Sequence, residues 1–83
     1  MTLSDIILKK GEILLSQIII ENIFLDNTSY IYGNVERPSD LSDMYAIDDK
    51  VLFDADNATK FTVDGEYYYL VKEDDVYLTF INI

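Results

Sequence analysis

Apolar residues along this chain fall in short blocks separated by turn-forming residues, a spacing that predicts strands in preference to long helices. Residues 12–20 (EILLSQIII) set Ile13, Leu15 and Ile19 on one side and Leu14, Ile18 and Ile20 on the other. Aliphatic groups on both faces predict a strand buried on both sides or covered by a neighbouring subunit. Residues 29–35 (SYIYGNV) predict a second strand, with Gly33 marking a bulge or a close backbone approach. The proline-containing stretch 36–43 (ERPSDLSD) reads as a loop. Residues 50–54 (KVLFD) then form a short strand with Val51 and Phe53 on one side.

Asp64-Gly65, between residues 59–63 and 66–71, is a preferred pair for a two-residue hairpin turn. That turn fixes the register: Val63 opposes Glu66, Thr62 opposes Tyr67, and Phe61 opposes Tyr68. Phe61, Val63, Tyr68 and Leu70 therefore share one face, expected in the core. Tyr67 and Tyr69 share the other face with Val71 and are expected as surface aromatics able to anchor a partner. Residues 73–75 turn, and 76–83 (VYLTFINI) form the last strand. Ahead of all this, residues 2–11 predict a short helical turn or a terminal edge strand, since Leu3, Ile6 and Ile7 have helical spacing and Gly11 can end it. About six short strands separated by turns imply an all-β fold, a small barrel or sandwich spanning residues 1–83 as one domain.

A chain of 83 residues buries only about 60% of its unfolded surface, which leaves stability marginal. With no cysteine, neither a disulfide nor a thiolate–metal site supplements the core, and oligomerisation is the remaining common remedy. Six Lys and Arg against sixteen Asp and Glu give a net charge of −10. Such a surface repels nucleic acid and anionic membranes, so neither is expected as a partner. No uninterrupted apolar run is long enough for a spanning helix, and no basic region precedes a hydrophobic stretch at the N-terminus, so a cytoplasmic location is expected.

Chemistry-bearing patterns are few. The lack of histidine and cysteine removes His-dependent nucleophile systems and the usual zinc sites. Asp54-Ala55-Asp56-Asn57 invites a calcium loop, but the positions that need glycine and glutamate hold Thr59 and Gly65. Gly11, Gly33 and Gly65 are isolated and cannot form a phosphate cradle. No catalysis, metal or cofactor is expected, and function is expected to lie in binding other proteins.

Residues 45–53 (YAIDDKVLF) are similar to the V-x-V-G-D-x-V-L-F signature of the GroES-type co-chaperonins, with Asp48 where glycine is usual. Residues 63–70 (VDGEYYYL) resemble that family's V-D-G-E-E-Y-L-I hairpin, and 73–78 (EDDVYL) its E-x-D-I-L-A ending. The three blocks stand in family order and cover residues 45–80. The resemblance implies a GroES-like β-barrel whose first and last strands pair with adjacent subunits in a ring. On that basis Ile13, Leu15, Ile19, Tyr77 and Phe80 are expected at an oligomer interface. Ile23, Phe24 and Leu25 have the chemistry of the aliphatic tripeptide with which co-chaperonins dock on a chaperonin. The long Gly- and Ser-rich mobile loop that carries this tripeptide in the family is much shortened here.

The expected function is a non-catalytic co-chaperonin-like subunit that binds a chaperonin or another protein. A phage-encoded structural protein of a virion, reusing the same barrel, is the alternative. An acidic inhibitor of a basic enzyme is a third reading, resting on net charge alone.

Overall fold

The computed structural model describes residues 2–20 and 29–81. Six strands, β1 (Glu12–Ile18), β2 (Tyr30–Arg37), β3 (Lys50–Asp54), β4 (Thr59–Val63), β5 (Glu66–Lys72) and β6 (Val76–Phe80), form one antiparallel sheet. Its order is β4-β5-β1-β2-β3-β6. Three single turns of 3₁₀ helix, Leu3–Asp5, Ala55–Asn57 and Glu73–Asp75, complete the described elements.

Local chemistry explains most boundaries. Asp64 and Gly65 both adopt left-handed backbone (φ 52° and 84°), the geometry that joins two strands with matching twist. The β4–β5 register follows as the turn dictates, with Val63 opposite Glu66 and Phe61 opposite Tyr68. After β3, the Asp54 carboxylate accepts the Asp56 amide at 3.0 Å and so closes its own turn. Asp54, the first acid of the stretch that invited a calcium reading, thus serves backbone geometry. Gly33 is a close approach: a Cβ there would lie 2.7 Å from Cε1 of Phe53.

The principal core gathers Ile13, Leu15, Val35, Val51, Phe53, Tyr69 and Val71, with Tyr45 and Val76 packed against it. Fully burying each such side chain contributes about 1.5–3 kcal/mol. The Phe53 and Tyr69 rings meet edge to face at 5.3 Å. Their strands are three positions apart in the sheet, about 14 Å if it were flat. The sheet is therefore strongly coiled around this cluster. The strand order ends at β4 and β6, which remain its two margins.

Two sequence expectations need correction. The core face of β5 is the one carrying Tyr69 and Val71; of the face expected in the core, Val63 is buried but Phe61, Tyr68 and Leu70 are only half-buried. Tyr69, expected on the surface, pairs with Leu15 and is buried. Nor is β1 a margin. It lies between β5 and β2, and Ile13 and Leu15 are fully buried within the single chain, leaving no surface for an oligomer contact. Leu14, on the opposite face, is equally buried.

The N-terminal residues are tied down by one side chain. Arg37 donates from Nη1 to the Leu3 carbonyl at 2.8 Å and to the Ile6 carbonyl, and its Nη2 lies 3.7 Å from Asp40. At the far end of this strap, Gly11 donates its amide to Ser39 Oγ at 3.2 Å and accepts from the Glu73 amide at 2.7 Å.

Candidate protein-binding surface

The β6 margin concentrates the features of a contact surface. Its five residues, VYLTF, carry no charge and no proline, the devices that ordinarily blunt an exposed edge. Leu52 pairs with Leu78 but Phe53 pairs with Val76, so Tyr77 is the extra residue of a bulge. A bulge re-aims side chains. Here it leaves Val76 against the core while Tyr77 and Leu78 stay exposed, at 65% and 38%. The Tyr77 ring stands edge-on to Tyr30, centroids 5.2 Å apart.

Beside this edge, on the sheet face opposite the principal core, lies a second cluster. Ile20, Tyr32 and Leu52 are buried, with Ile18, Tyr30 and Phe80 against them. Tyr32 and Phe80 rings are 5.6 Å apart. The Tyr32 hydroxyl is buried without a hydrogen-bond partner, an unusual cost within an apolar cluster. Exposed Ile19 and Ile81 flank this region of the sheet in sequence.

Farther along the same face the surface becomes polar. Asn34 donates to Glu36 and to Asp48 Oδ1 (3.3 Å), Ser16 donates to Glu36 Oε2 at 2.9 Å, and the Lys50 ammonium donates to Asn34 and the Asp48 carbonyl. These groups satisfy one another. Asp48 has left-handed backbone, φ 72°, a conformation that favours glycine.

Of the residues expected to bind, Ile19 and Tyr77 are exposed and Phe80 is half-buried, whereas Ile13, Leu15 and Tyr69 belong to the core. Tyr67 is exposed on β5, next to the opposite margin β4, whose Lys60 Nζ sits 4.3 Å from its ring centroid. Ile23, Phe24 and Leu25 lie outside the described residues. Tyr30, Tyr32 and Leu78 were not anticipated at this surface. The alternation of Tyr30, Tyr32 and Asn34 along β2 was the available signal, but it needed the pairing with β3 and β6 to be read.

Two tyrosines have shifted hydroxyls. Burial raises that of Tyr45, partly countered by its hydrogen bond to Thr79, and the negative charges of Glu73, Asp49 and Asp74 add to the rise. The hydrogen bond from Tyr68 to Glu66 raises that of Tyr68. Among the described residues no cluster of three or more metal-ligating side chains occurs, and no helix is long and apolar enough to cross a membrane. No protein-family model matches the chain, and no curated protein sequence matches it.

Proposed function

We propose that the chain is a non-catalytic, GroES-like subunit that assembles through its terminal β6 strand and binds a chaperonin or another protein. The uncharged, solvent-facing β6 edge with exposed Tyr77, Leu78 and Ile81 carries this reading. Three further observations support it. The three blocks of resemblance occur in family order. Asp48 takes a left-handed backbone at the position where the resembled signature has glycine. The sheet coils tightly around one core, as a strand set preceding barrel closure would.

In this reading Ile23, Phe24 and Leu25, in the β1–β2 connection, supply the contact with the partner. The test is sedimentation velocity of the purified chain, followed by capture on a chaperonin with nucleotide. Wild type is expected to sediment as an oligomer and to be captured, Leu78→Asp to sediment as a single subunit, and Phe24→Asp to assemble without capture. A wild type that remains a single subunit at high concentration, or is never captured, refutes the corresponding half of the proposal.

The shortness of the connection between Ile18 and Tyr30 favours a second reading, a structural component of a virus particle built on the same sheet. Co-purification with a large particle, and no capture by chaperonin, would select it.

A further inference from the structure

The nine large apolar side chains exposed among the described residues fall into separate places. Tyr77, Leu78 and Ile81 belong to the β6 margin and are used by the assembly proposed above, with Ile19 leaving the second cluster nearby. Tyr67 stands apart on β5 under Lys60 of the β4 margin. The remaining four, Ile7, Leu41, Met44 and Ile47, have no role in that assembly. They are 93%, 72%, 57% and 63% exposed.

The fold brings the two segments that carry them side by side. One Arg37 guanidinium holds the carbonyls of Leu3 and Ile6 and lies beside the Asp40 carboxylate, so Ile7 and Leu41 each follow directly on a residue tied to that group. The Gly11 amide reaches Ser39 Oγ and ties the other end of the strap to the start of the same loop.

The loop itself is held in shape. Ser42 donates its amide to the Ser39 carbonyl, Met44 to Ser42 Oγ at 3.2 Å, and Ala46 to Asp49 Oδ2 at 2.9 Å. Asp48 and Asp49 bond the backbone of Val35 on β2 at 2.8 and 2.9 Å. Tyr45 turns inward onto the core. With Tyr45 as the inward anchor, Leu41, Met44 and Ile47 are left facing water on a fixed backbone. Such pre-organisation reduces the ordering cost of binding.

The charge of the loop is one-sided. Asp40, Asp43 and Asp48 are exposed between and beside the apolar groups, and no Lys or Arg occurs from 38 to 49. The nearest cations in sequence, Arg37 and Lys50, are already engaged by internal acceptors, and the strap adds two exposed lysines, Lys9 and Lys10, so the acidic part of this surface is the loop itself. We propose that the strap and loop form a second docking surface, distinct from the β6 edge, for a partner-protein segment that presents alternating aliphatic and basic side chains. Its aliphatic groups cover Leu41, Met44 and Ile47 with Ile7 at the rim, and its ammonium or guanidinium groups pair with Asp43 and Asp48.

The test uses the full chain and a synthetic peptide of alternating lysine and leucine, with its glutamate–leucine counterpart as control. Amide chemical shifts are followed by NMR during titration. The lysine peptide is expected to perturb residues around Ile7 and 40–48, to bind less tightly as salt is raised, and to weaken about tenfold or more in the triple variant Leu41→Ser, Met44→Ser, Ile47→Ser. All three side chains are exposed, so that variant should keep the wild-type urea midpoint. If it does not, Asp43→Lys, at an exposed position outside the hydrogen-bonded network, replaces it, with weakening again expected. Equal binding of the glutamate peptide, perturbations centred on β4 or β6, no measurable binding, or full affinity in the variants would each overturn the proposal. Loss of β6-dependent assembly in the Leu78→Asp variant leaves this surface intact, so the two proposals fail separately.

Discussion

Replacing Gly33 with alanine is the sharpest perturbation of the packing that holds the β2–β3 region together. The added methyl would sit 2.7 Å from Cε1 and 3.2 Å from Cδ1 of Phe53, and 3.4 Å from Cβ of Leu15. Carbon atoms pack comfortably at about 3.5–4.0 Å, so the ring must retreat by most of an ångström. It has nowhere to go, being fully buried and already in edge contact with Tyr69. Overpacking of this kind costs about 1–3 kcal/mol. Alanine recovers about 0.5–1 kcal/mol of that by restricting the unfolded backbone. A net loss of about 1–2 kcal/mol should therefore appear in urea unfolding as a midpoint lower by about 0.3–2 M, or in heating as a Tm lower by roughly 4–16 °C. Pairing Gly33→Ala with Phe53→Leu tests the cause, because the smaller side chain removes the clash. The two changes should couple favourably by at least about 0.5 kcal/mol. A variant as stable as wild type, or strictly additive costs in the pair, would show that the close approach is not what requires glycine here.

Arg37→Met removes the hydrogen bonds to the Leu3 and Ile6 carbonyls. It should cost about 1–3 kcal/mol and speed amide exchange in residues 3–10 with little change in β2 and β3, whereas unchanged exchange there would argue against a strap held by Arg37. Glu73 is buried with one carboxylate oxygen unpartnered, so Glu73→Gln should leave the urea midpoint equal or higher. A loss above about 1 kcal/mol would show the charge to be stabilising. Burial keeps the Tyr45 hydroxyl protonated to higher pH in the fold than in the unfolded chain. Its contribution to stability is therefore complete below the unfolded value, about 10, and is lost as pH rises through the folded one. Tyr45→Phe should flatten that alkaline decline, measured as urea midpoint against pH, and an unchanged slope would assign the decline to other groups.

Strand positions were legible because their determinants are local. Asp64-Gly65 carries its own left-handed geometry, and Gly33, which reads as a bulge or a close backbone approach, lies in regular pairing with the Phe53 ring packed against it. Which face of β5 turns inward was not legible. Both faces are apolar or aromatic, and the choice depends on β1 inserting beside β5 so that Leu15 meets Tyr69. The same insertion explains why β1 is not a margin: its two-sided aliphatic pattern predicts either burial on both faces or cover by another subunit, and around Ile13, Leu14 and Leu15 the first holds, the cover coming from distant residues of the same chain. The apolar surface at β6 was only half visible. Tyr77 and Phe80 stood out as terminal aromatics, but the bulge that exposes Leu78 beside Tyr77 follows from a register shift against β3, which no short stretch of sequence encodes.

The central place of β1 bears on how the chain matures during synthesis. Glu12 finds its partner at Lys72, and the Gly11 carbonyl finds the Glu73 amide, so the first strand cannot acquire its second neighbour until residues through Glu73 have left the ribosome. Until then Ile13, Leu14 and Leu15 travel with one flank open. A nascent or truncated chain ending before β5 would thus be the form most prone to clump.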